Sequence, residues 1–235
     1  MKPILILQHL ERGDVPLMME ALKPTGLESV TLRPDLGEPL PEPQDLQSFS
    51  GLCFCGGTQS VNDDYPWIAQ ELDLIRYAAE IDMPVIGHCL GGQLISAALG
   101  GTVSSFNGDE FGWQLLQHMD NDVARRWLGE DGTPFVAMQW HNDTFTIPPG
   151  ATQILSGEHC HNQAFVSGNM LGMQFHVEMV ESSVRYWAED LAHDAPEPGP
   201  MVQTPAEILD QLETNMAISR SLGMRLYNKW LEAVL

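Results

Sequence analysis

The sequence predicts an α/β protein in which a doubly wound, mainly parallel sheet is flanked by helices. Three short runs, at residues 3–8, 51–55 and 83–87, are apolar enough to be strands that are covered on both faces. Helix-like segments at 65–82 and 90–100 follow the last two runs, so strands and helices alternate along the chain. This alternation is typical of doubly wound α/β folds.

The first half of the chain contains one more strand and a well-marked helix start. Residues 29–34 are predicted to be a strand, and a proline-rich acidic loop follows them. In the first long helix, Asp64 is the predicted cap and Pro66 fits the first turn, where a missing N–H costs nothing. The apolar face predicted for this helix consists of Ile68, Leu72, Ile75 and Ala79.

The second half is richer in strands. Strands are predicted at residues 111–117, 134–140, 162–168 and 170–175. A helix is predicted at 122–129, and residues 193–205 form a rigid connector. Beyond it, apolar residues recur at helical spacing, with Gly223 as the expected break. We expect a single domain over 1–235, with the C-terminal helices of about 205–234 packed on it.

Composition narrows the classes of partner. The chain has 235 residues, of which 32 are acidic and 11 are Lys or Arg, giving a net charge of −21. A protein this acidic is not expected to bind nucleic acid or an anionic membrane. No stretch approaches the ~20 apolar residues of a membrane span, and the N-terminal apolar run is too short for a signal peptide. The four cysteines lack a disulfide spacing, so we expect a cytoplasmic protein with reduced thiols.

Cys89 stands at a sharp turn between a predicted strand and a predicted helix. Gly87 precedes it by two residues and Gly91 follows it by two. This is the pattern of a nucleophile elbow, whose glycines remove side chains that would clash with strand and helix. The nucleophile then projects beside a helix N-terminus, which favours a thiolate. The competing interpretation is a tight turn that holds a buried cysteine for packing.

Two histidines are candidates for the base that such a nucleophile needs. His176 follows an apolar strand, and Glu178 lies two residues beyond it; His141 and Asp143 have the same spacing. Residues i and i+2 of an extended chain share a face, so either carboxylate can orient its imidazole. The pattern alone leaves both pairs open, although the first stands more clearly at a strand end.

The remaining polar motifs are weaker. Gly56 and Gly57 follow the strand at 51–55, where their backbone N–H groups would suit a developing oxyanion. The two histidines that flank Cys160 suggest a metal site, but no second ligand cluster accompanies them, so a loop is favoured. Three other histidines are predicted to be surface or packing residues: His9, His118 and His193.

Together these motifs resemble the class I glutamine amidotransferases. The nucleophile motif of that family, glycine–x–cysteine–x–glycine–x–glutamine, is met by Gly87, Cys89, Gly91 and Gln93, and its histidine–x–glutamate is met by His176 and Glu178. The glycine pair and the segments 110–113 and 139–151 agree as well. The similarity runs from about Gly51 to Glu178, and it implies a flavodoxin-like fold. Within the family, the chain resembles the glutaminase domain of GMP synthase.

The resemblance implies a role for each matching residue. Cys89 would attack the side-chain amide of glutamine, His176 would carry the proton and Glu178 would orient His176. The backbone N–H groups of Gly57 and Leu90 would hold the oxyanion. The residues implied to form the glutamine pocket are Gln93, His141 and Asn142. No metal or cofactor is implied. Thr58 departs from the family, which usually has a stiffening proline there, so the position of the Gly57 N–H is less constrained.

The function that follows is hydrolysis of L-glutamine to glutamate and ammonia through a thioester at Cys89. No phosphate-binding loop of the P-loop type is present, and the chain ends soon after the glutaminase segment. We therefore expect either a separate synthetase subunit that accepts the ammonia or a stand-alone hydrolase. One alternative is a hydrolase of γ-glutamyl peptides or small amides with the same triad. The alternative from another class is a non-catalytic regulatory or binding subunit.

Overall fold

A computed structural model describes residues 1–130 and 132–235, and its described residues form one nine-stranded sheet. The strands are β1 Ile4–Leu7, β2 Ser29–Leu32, β3 Gly51–Phe54, β4 Val85–His88, β5 Val103–His118, β6 Phe135–Phe145, β7 Thr152–Gly157, β8 Ala164–Ser167 and β9 Met170–Met173. The helices are α1 Pro16–Leu22, α2 Pro66–Glu80, α3 Leu90–Ala98, α4 Asp122–Leu128, α5 Glu181–Arg185, α6 Pro205–Asp210 and α7 Leu212–Val234.

The strand order is β2-β1-β3-β4-β9-β8-β7-β5-β6. The first five strands of this order pair in parallel, and the remaining neighbours pair antiparallel. The predicted α/β fold with a sheet flanked by helices is therefore confirmed. The parallel half carries the strand–helix alternation that the sequence predicted, and the antiparallel half extends it.

The sheet separates two hydrophobic cores, and β1 shows how. Ile4 and Ile6 point to the side that α1 and α7 cover, whereas Leu5 and Leu7 point to the side that α2 and α3 cover. All four side chains are at most 3% exposed. Burial on both faces is the physical reason that β1, β3, β4 and β9 are apolar throughout rather than alternating.

Several elements differ from the sequence-based expectation. β7 was not predicted, because its polar first half hides the alternation of a strand. Asp64 does not cap α2; Tyr65 occupies the N-cap and makes no side-chain hydrogen bond there. The buried face of α2 also differs, since Leu72 and Ala79 do not belong to it. That face consists of Trp67, Ile68, Glu71, Leu74, Ile75 and Ala78.

Gly223 does not break the C-terminal helix, because α7 runs through it. A Cβ atom at this position would lie 2.8 Å from the carbonyl oxygen of Val177 and 2.7 Å from a methyl group of Leu17. The glycine thus permits close approach of α7 to the segment that carries His176 and Glu178. No helix within 1–130 and 132–235 is long and apolar enough to cross a membrane.

We predict that Gly223→Ala destabilises the protein, although alanine is the better helix former by about 1 kcal/mol. The methyl group would overlap the Val177 carbonyl, and overpacking of this kind typically costs ~1–3 kcal/mol. Thermal or denaturant unfolding would measure the change. Ser221→Ala, at an exposed position of the same helix, is the matched control and should leave stability nearly unchanged. A Gly223→Ala protein as stable as the wild type would contradict the packing explanation.

Candidate active site

Cys89 is the only residue between β4 and α3, and its backbone is strained, with φ 49° and ψ −108°. Close backbone contacts explain the flanking glycines. A Cβ atom on Gly87 would lie 2.4 Å from the carbonyl of Gly91, and one on Gly91 would lie 2.1 Å from the carbonyl oxygen of Phe54. No side chain fits at either position. Strain of this kind costs of order 1–3 kcal/mol and persists only where the surrounding structure imposes it.

The Cys89 sulfur is nearly buried, at 6% exposure, and it has two polar neighbours. The thiol faces the carbonyl oxygen of Trp140 at 3.8 Å, and the side-chain amide nitrogen of Gln174 donates to Sγ at 3.8 Å. The carbonyl favours the protonated thiol, while the amide donor favours the thiolate. Gln93 fixes the orientation of this donor, because its own amide donates to Gln174 Oε1 at 3.4 Å.

His176 and Glu178 lie on the chain just beyond β9, and their side chains form a pair. The Nδ1–H of His176 donates to Glu178 Oε1 at 2.5 Å, while Val177 between them points into the core. The other ring nitrogen, Nε2, is buried without a hydrogen bond among the described residues. A Cβ atom built on Gly56 would lie 3.0 Å from His176 Cε1 and 3.7 Å from Cys89 Cβ, so the imidazole and the cysteine meet at this point.

The His176–Glu178 pair favours its charged form. Burial opposes the charge on the imidazole, but the Glu178 carboxylate and the Cys89 sulfur outweigh burial and raise the pKa of His176 to about 10. For Glu178, burial would raise the pKa, but the attraction of His176 prevails and the pKa is lowered. The pair is therefore an imidazolium and a carboxylate at neutral pH. Such an imidazolium can stabilise a thiolate and can deliver a proton.

The residues directly after β3 form the second wall of the site, and we call residues 55–57 the oxyanion loop. A Cβ atom on Gly57 would lie 2.7 Å from Leu90 Cδ2, so this loop touches the first turn of α3. Gly57 and Leu90, the two residues predicted to donate to an oxyanion, are thus neighbours. The same turn begins directly after Cys89.

The other candidate base, His141, has both ring nitrogens engaged. Nδ1 donates to the carbonyl oxygen of Asp143 at 2.9 Å, and Nε2 contacts Glu110 Oε2 at 2.9 Å. The Glu110 carboxylate also accepts from the Cys160 backbone N–H and from Gln163 Nε2. The structure therefore separates the two candidates that the sequence left open: His176 has a free nitrogen, and His141 does not.

Cys160 lies in a loop, as predicted, but a ligand cluster does accompany it, contrary to the sequence-based reason for favouring a loop. The partners come from distant parts of the chain rather than from the flanking histidines. Glu110, His141 and Cys160 bring their ligand atoms within 4.8 Å of one another. The three N–H groups around the Glu110 carboxylate explain why it can be buried, since each stabilises the charge.

A cavity of about 600 Å³ opens over Cys89, His176 and Glu178. The three residues implied to bind glutamine all line it, namely Gln93, His141 and Asn142. Asn142 is exposed. The Gln93 amide, in contrast, donates to Asp143 O at 3.2 Å as well as to Gln174, so its donors serve the protein itself. Trp187 covers the imidazole, with its ring edge-on to His176 at 4.8 Å.

Several residues around the site were missed or misjudged from the sequence. Gln174 was not singled out, although it precedes His176 by two residues and therefore shares its face in an extended chain. Trp187 lies in a short π-helical turn, Tyr186–Asp190, for which no sequence signal exists. The prediction that His9 is a surface or packing residue without partners is wrong, because it is buried and hydrogen-bonded to Cys55 and Glu71.

Comparisons with known proteins agree on one family. The model of the class-I glutamine amidotransferases matches residues 17–186. The glutamine-hydrolysing subunit of the GMP synthase of Sulfolobus acidocaldarius is 34% identical over 170 residues, which are 69% of this chain and 82% of the relative. A solved glutamine amidotransferase from Methylobacillus flagellatus has a TM-score of 0.94 at 36% identity, covering 99% of this chain and 95% of the other. One from Thermotoga maritima has a TM-score of 0.84 at 27% identity, with 98% of both chains covered.

We predict that His176 stays protonated at neutral pH and titrates near 10, which NMR of labelled histidine would measure. Because this pKa is raised above the ordinary 6.5, the stabilisation from the pair is complete below pH 6.5 and is lost as the pH rises through about 10. Glu178→Gln should lower the pKa of His176 strongly, since burial then acts without the carboxylate. Titration of wild-type His176 near 6.5 would contradict the charged pair.

Proposed function

Since the chain belongs to the class-I glutamine amidotransferase family, whose members are enzymes with a cysteine nucleophile, we propose that it hydrolyses the side-chain amide of L-glutamine. The products are glutamate and ammonia. The observation that carries this proposal is the meeting of strained Cys89 with the His176–Glu178 pair at the floor of one cavity. The expected catalytic triad is thus assigned to Cys89, His176 and Glu178.

The first half of the reaction forms a thioester. The Cys89 thiolate attacks the amide carbon, and the carbonyl oxygen becomes an oxyanion that accepts from the backbone N–H groups of Gly57 and Leu90. The His176 imidazolium gives its Nε2 proton to the leaving nitrogen, the C–N bond breaks and ammonia departs. Preorganised donors of this kind are worth on the order of 10²–10³ in rate each.

The second half consumes water. Neutral His176 now removes a proton from a water molecule, whose oxygen attacks the thioester carbon. The oxyanion forms again in the same place, the C–S bond breaks, and glutamate and the Cys89 thiolate are released. Glu178 keeps the imidazole oriented throughout, because its carboxylate holds Nδ1 and leaves Nε2 facing the substrate.

The proposed glutamine pocket is formed by Gln93, His141 and Asn142. The internal hydrogen bonds of Gln93 and His141 support a role as rigid walls that shape the pocket. The exposed amide of Asn142 is the group of this set that can contact the substrate directly. The ammonia is proposed to pass to a separate synthetase partner, by analogy with the Sulfolobus relative, which is named as one subunit of a GMP synthase.

A second candidate substrate is a γ-glutamyl amide with a larger leaving group. The cavity of about 600 Å³ falls in the range of about 300–1,000 Å³ that is usual for drug-sized ligands. It therefore has room beyond a single glutamine. The chemistry at Cys89 is unchanged, because the same γ-glutamyl C–N bond is cleaved. Only the space beyond the leaving nitrogen would decide between the two substrates.

We predict that Cys89→Ala lowers glutamine hydrolysis by on the order of 10⁴-fold or more, since no thioester can form. Released glutamate is measured for glutamine and for γ-glutamylglycine side by side. Cys53→Ala removes a thiol that is buried in the core, and it should retain the rate. Full activity of Cys89→Ala would contradict the mechanism, and a clear preference for γ-glutamylglycine would replace glutamine by the second candidate.

A further inference from the structure

His9 lies two residues beyond β1, and its imidazole is packed against the oxyanion loop. The side chain is fully enclosed, with the whole residue only 1% exposed. A Cβ atom on Gly57 would lie 3.0 Å from His9 Cβ, so the two residues are in direct contact. His9 is also stacked on Trp67, with ring centroids 5.1 Å apart and planes at 20°. The mechanism above does not use this histidine.

Both ring nitrogens of His9 have partners that matter for the loop. Nδ1 lies 3.0 Å from the carbonyl oxygen of Cys55, the first residue of the oxyanion loop. Nε2 lies 3.0 and 3.1 Å from the two carboxylate oxygens of Glu71 on α2. The Glu71 side chain is completely buried as well. A buried carboxylate is costly unless it has such a partner.

The proton count of this pair fixes the direction of the hydrogen bonds. A carbonyl oxygen can only accept, so Nδ1 carries a hydrogen and donates it to Cys55. Nε2 then either donates a second hydrogen to the Glu71 carboxylate or accepts one from the protonated acid. Burial opposes the charge on His9, but Glu71 outweighs it and raises the pKa of His9; burial also raises the pKa of Glu71. In both states the bond to Cys55 persists.

The oxyanion loop needs such a brace from outside. Gly56 and Gly57 have no side chains with which to anchor themselves, and Thr58 beyond them is exposed and lacks the rigid ring of a proline. The Cys55 carbonyl belongs to the peptide that joins Cys55 to Gly56. Its direction therefore sets the path of the backbone that leads to the Gly57 N–H.

We propose that His9 and Glu71 are positioning residues that hold the Cys55 carbonyl and thereby aim the Gly57 N–H at the oxyanion. This inference rests on the proposed function, in which that N–H stabilises the transition state. Neither side chain touches the substrate. Glu71 acts through His9, because it keeps Nε2 occupied and so keeps the hydrogen of Nδ1 on the side of Cys55.

Two pairs of variants separate positioning from simple burial. In His9→Asn the amide nitrogen is as many bonds from Cα as Nδ1, so it can donate to Cys55, whereas His9→Leu fills space without a donor. Glu71→Gln can still donate to Nε2 and fix the tautomer, whereas Glu71→Leu cannot. We expect His9→Leu to lower kcat by on the order of tenfold to a hundredfold with KM nearly unchanged. His9→Asn and Glu71→Gln should recover most of this loss, and Glu71→Leu should lie between.

Alkylation of Cys89 by iodoacetamide supplies a readout that a merely structural role would not separate. That reaction needs the thiolate but forms no oxyanion. We expect all four variants to alkylate Cys89 at the wild-type rate while His9→Leu hydrolyses substrate slowly. The inference is overturned if His9→Leu keeps the wild-type kcat, if its alkylation falls in proportion to its hydrolysis, or if a folded His9→Asn is as slow as His9→Leu.

Leu128→Ala is the matched control for loss of stability. Leu128 is fully buried in α4 and is absent from the cavity lining, so its truncation should lower the melting temperature without lowering kcat. All variants are assayed on whichever of glutamine and γ-glutamylglycine the wild type cleaves faster. A wild type that cleaves neither contradicts the proposed function, whereas an active wild type with a fully active His9→Leu contradicts the positioning role alone.

Discussion

The close contact of three backbone segments around Cys89 is the constraint on which the rest of the site depends. β4 and α3 meet with one residue between them, and the approach of Phe54, Gly87 and Gly91 leaves room for no other arrangement. Cys89 is thereby held at a positive φ of 49°. Because the sulfur position is fixed in this way, the surrounding groups can be placed against it with equal precision.

Three buried histidine–glutamate pairs surround the cavity, and each is joined to a different wall. His176 and Glu178 form the proposed acid–base pair. His141 and Glu110 tie down the strand that carries Asn142, and His9 and Glu71 hold the oxyanion loop. Only the first of them leaves a ring nitrogen free, whereas the other two spend both nitrogens on the protein. The same chemical pair thus performs catalysis in one place and positioning in two others.

Local patterns predicted the fold class and the nucleophile, because a strand–helix turn and a glycine–x–cysteine–x–glycine motif involve only neighbouring residues. The choice between His176 and His141 needed a tertiary contact, since Glu110 lies 31 residues from the imidazole that it occupies. His9 was misjudged for the same reason, because Glu71 is 62 residues away. Gly223 was taken for a helix break, whereas Val177 requires a glycine there for close packing. Patterns within one element cannot reveal what another element brings to it.

Covalent labelling tests the central claim most directly. The protein is incubated with a γ-glutamyl electrophile that mimics glutamine, and the added mass is located by peptide mass spectrometry. The account predicts a single adduct on Cys89 that excess glutamine prevents, which would show a reactive thiolate and a glutamine pocket together. Labelling of Cys160 instead, or labelling of Cys89 that glutamine does not slow, would contradict the assignment of this cavity as a glutamine site.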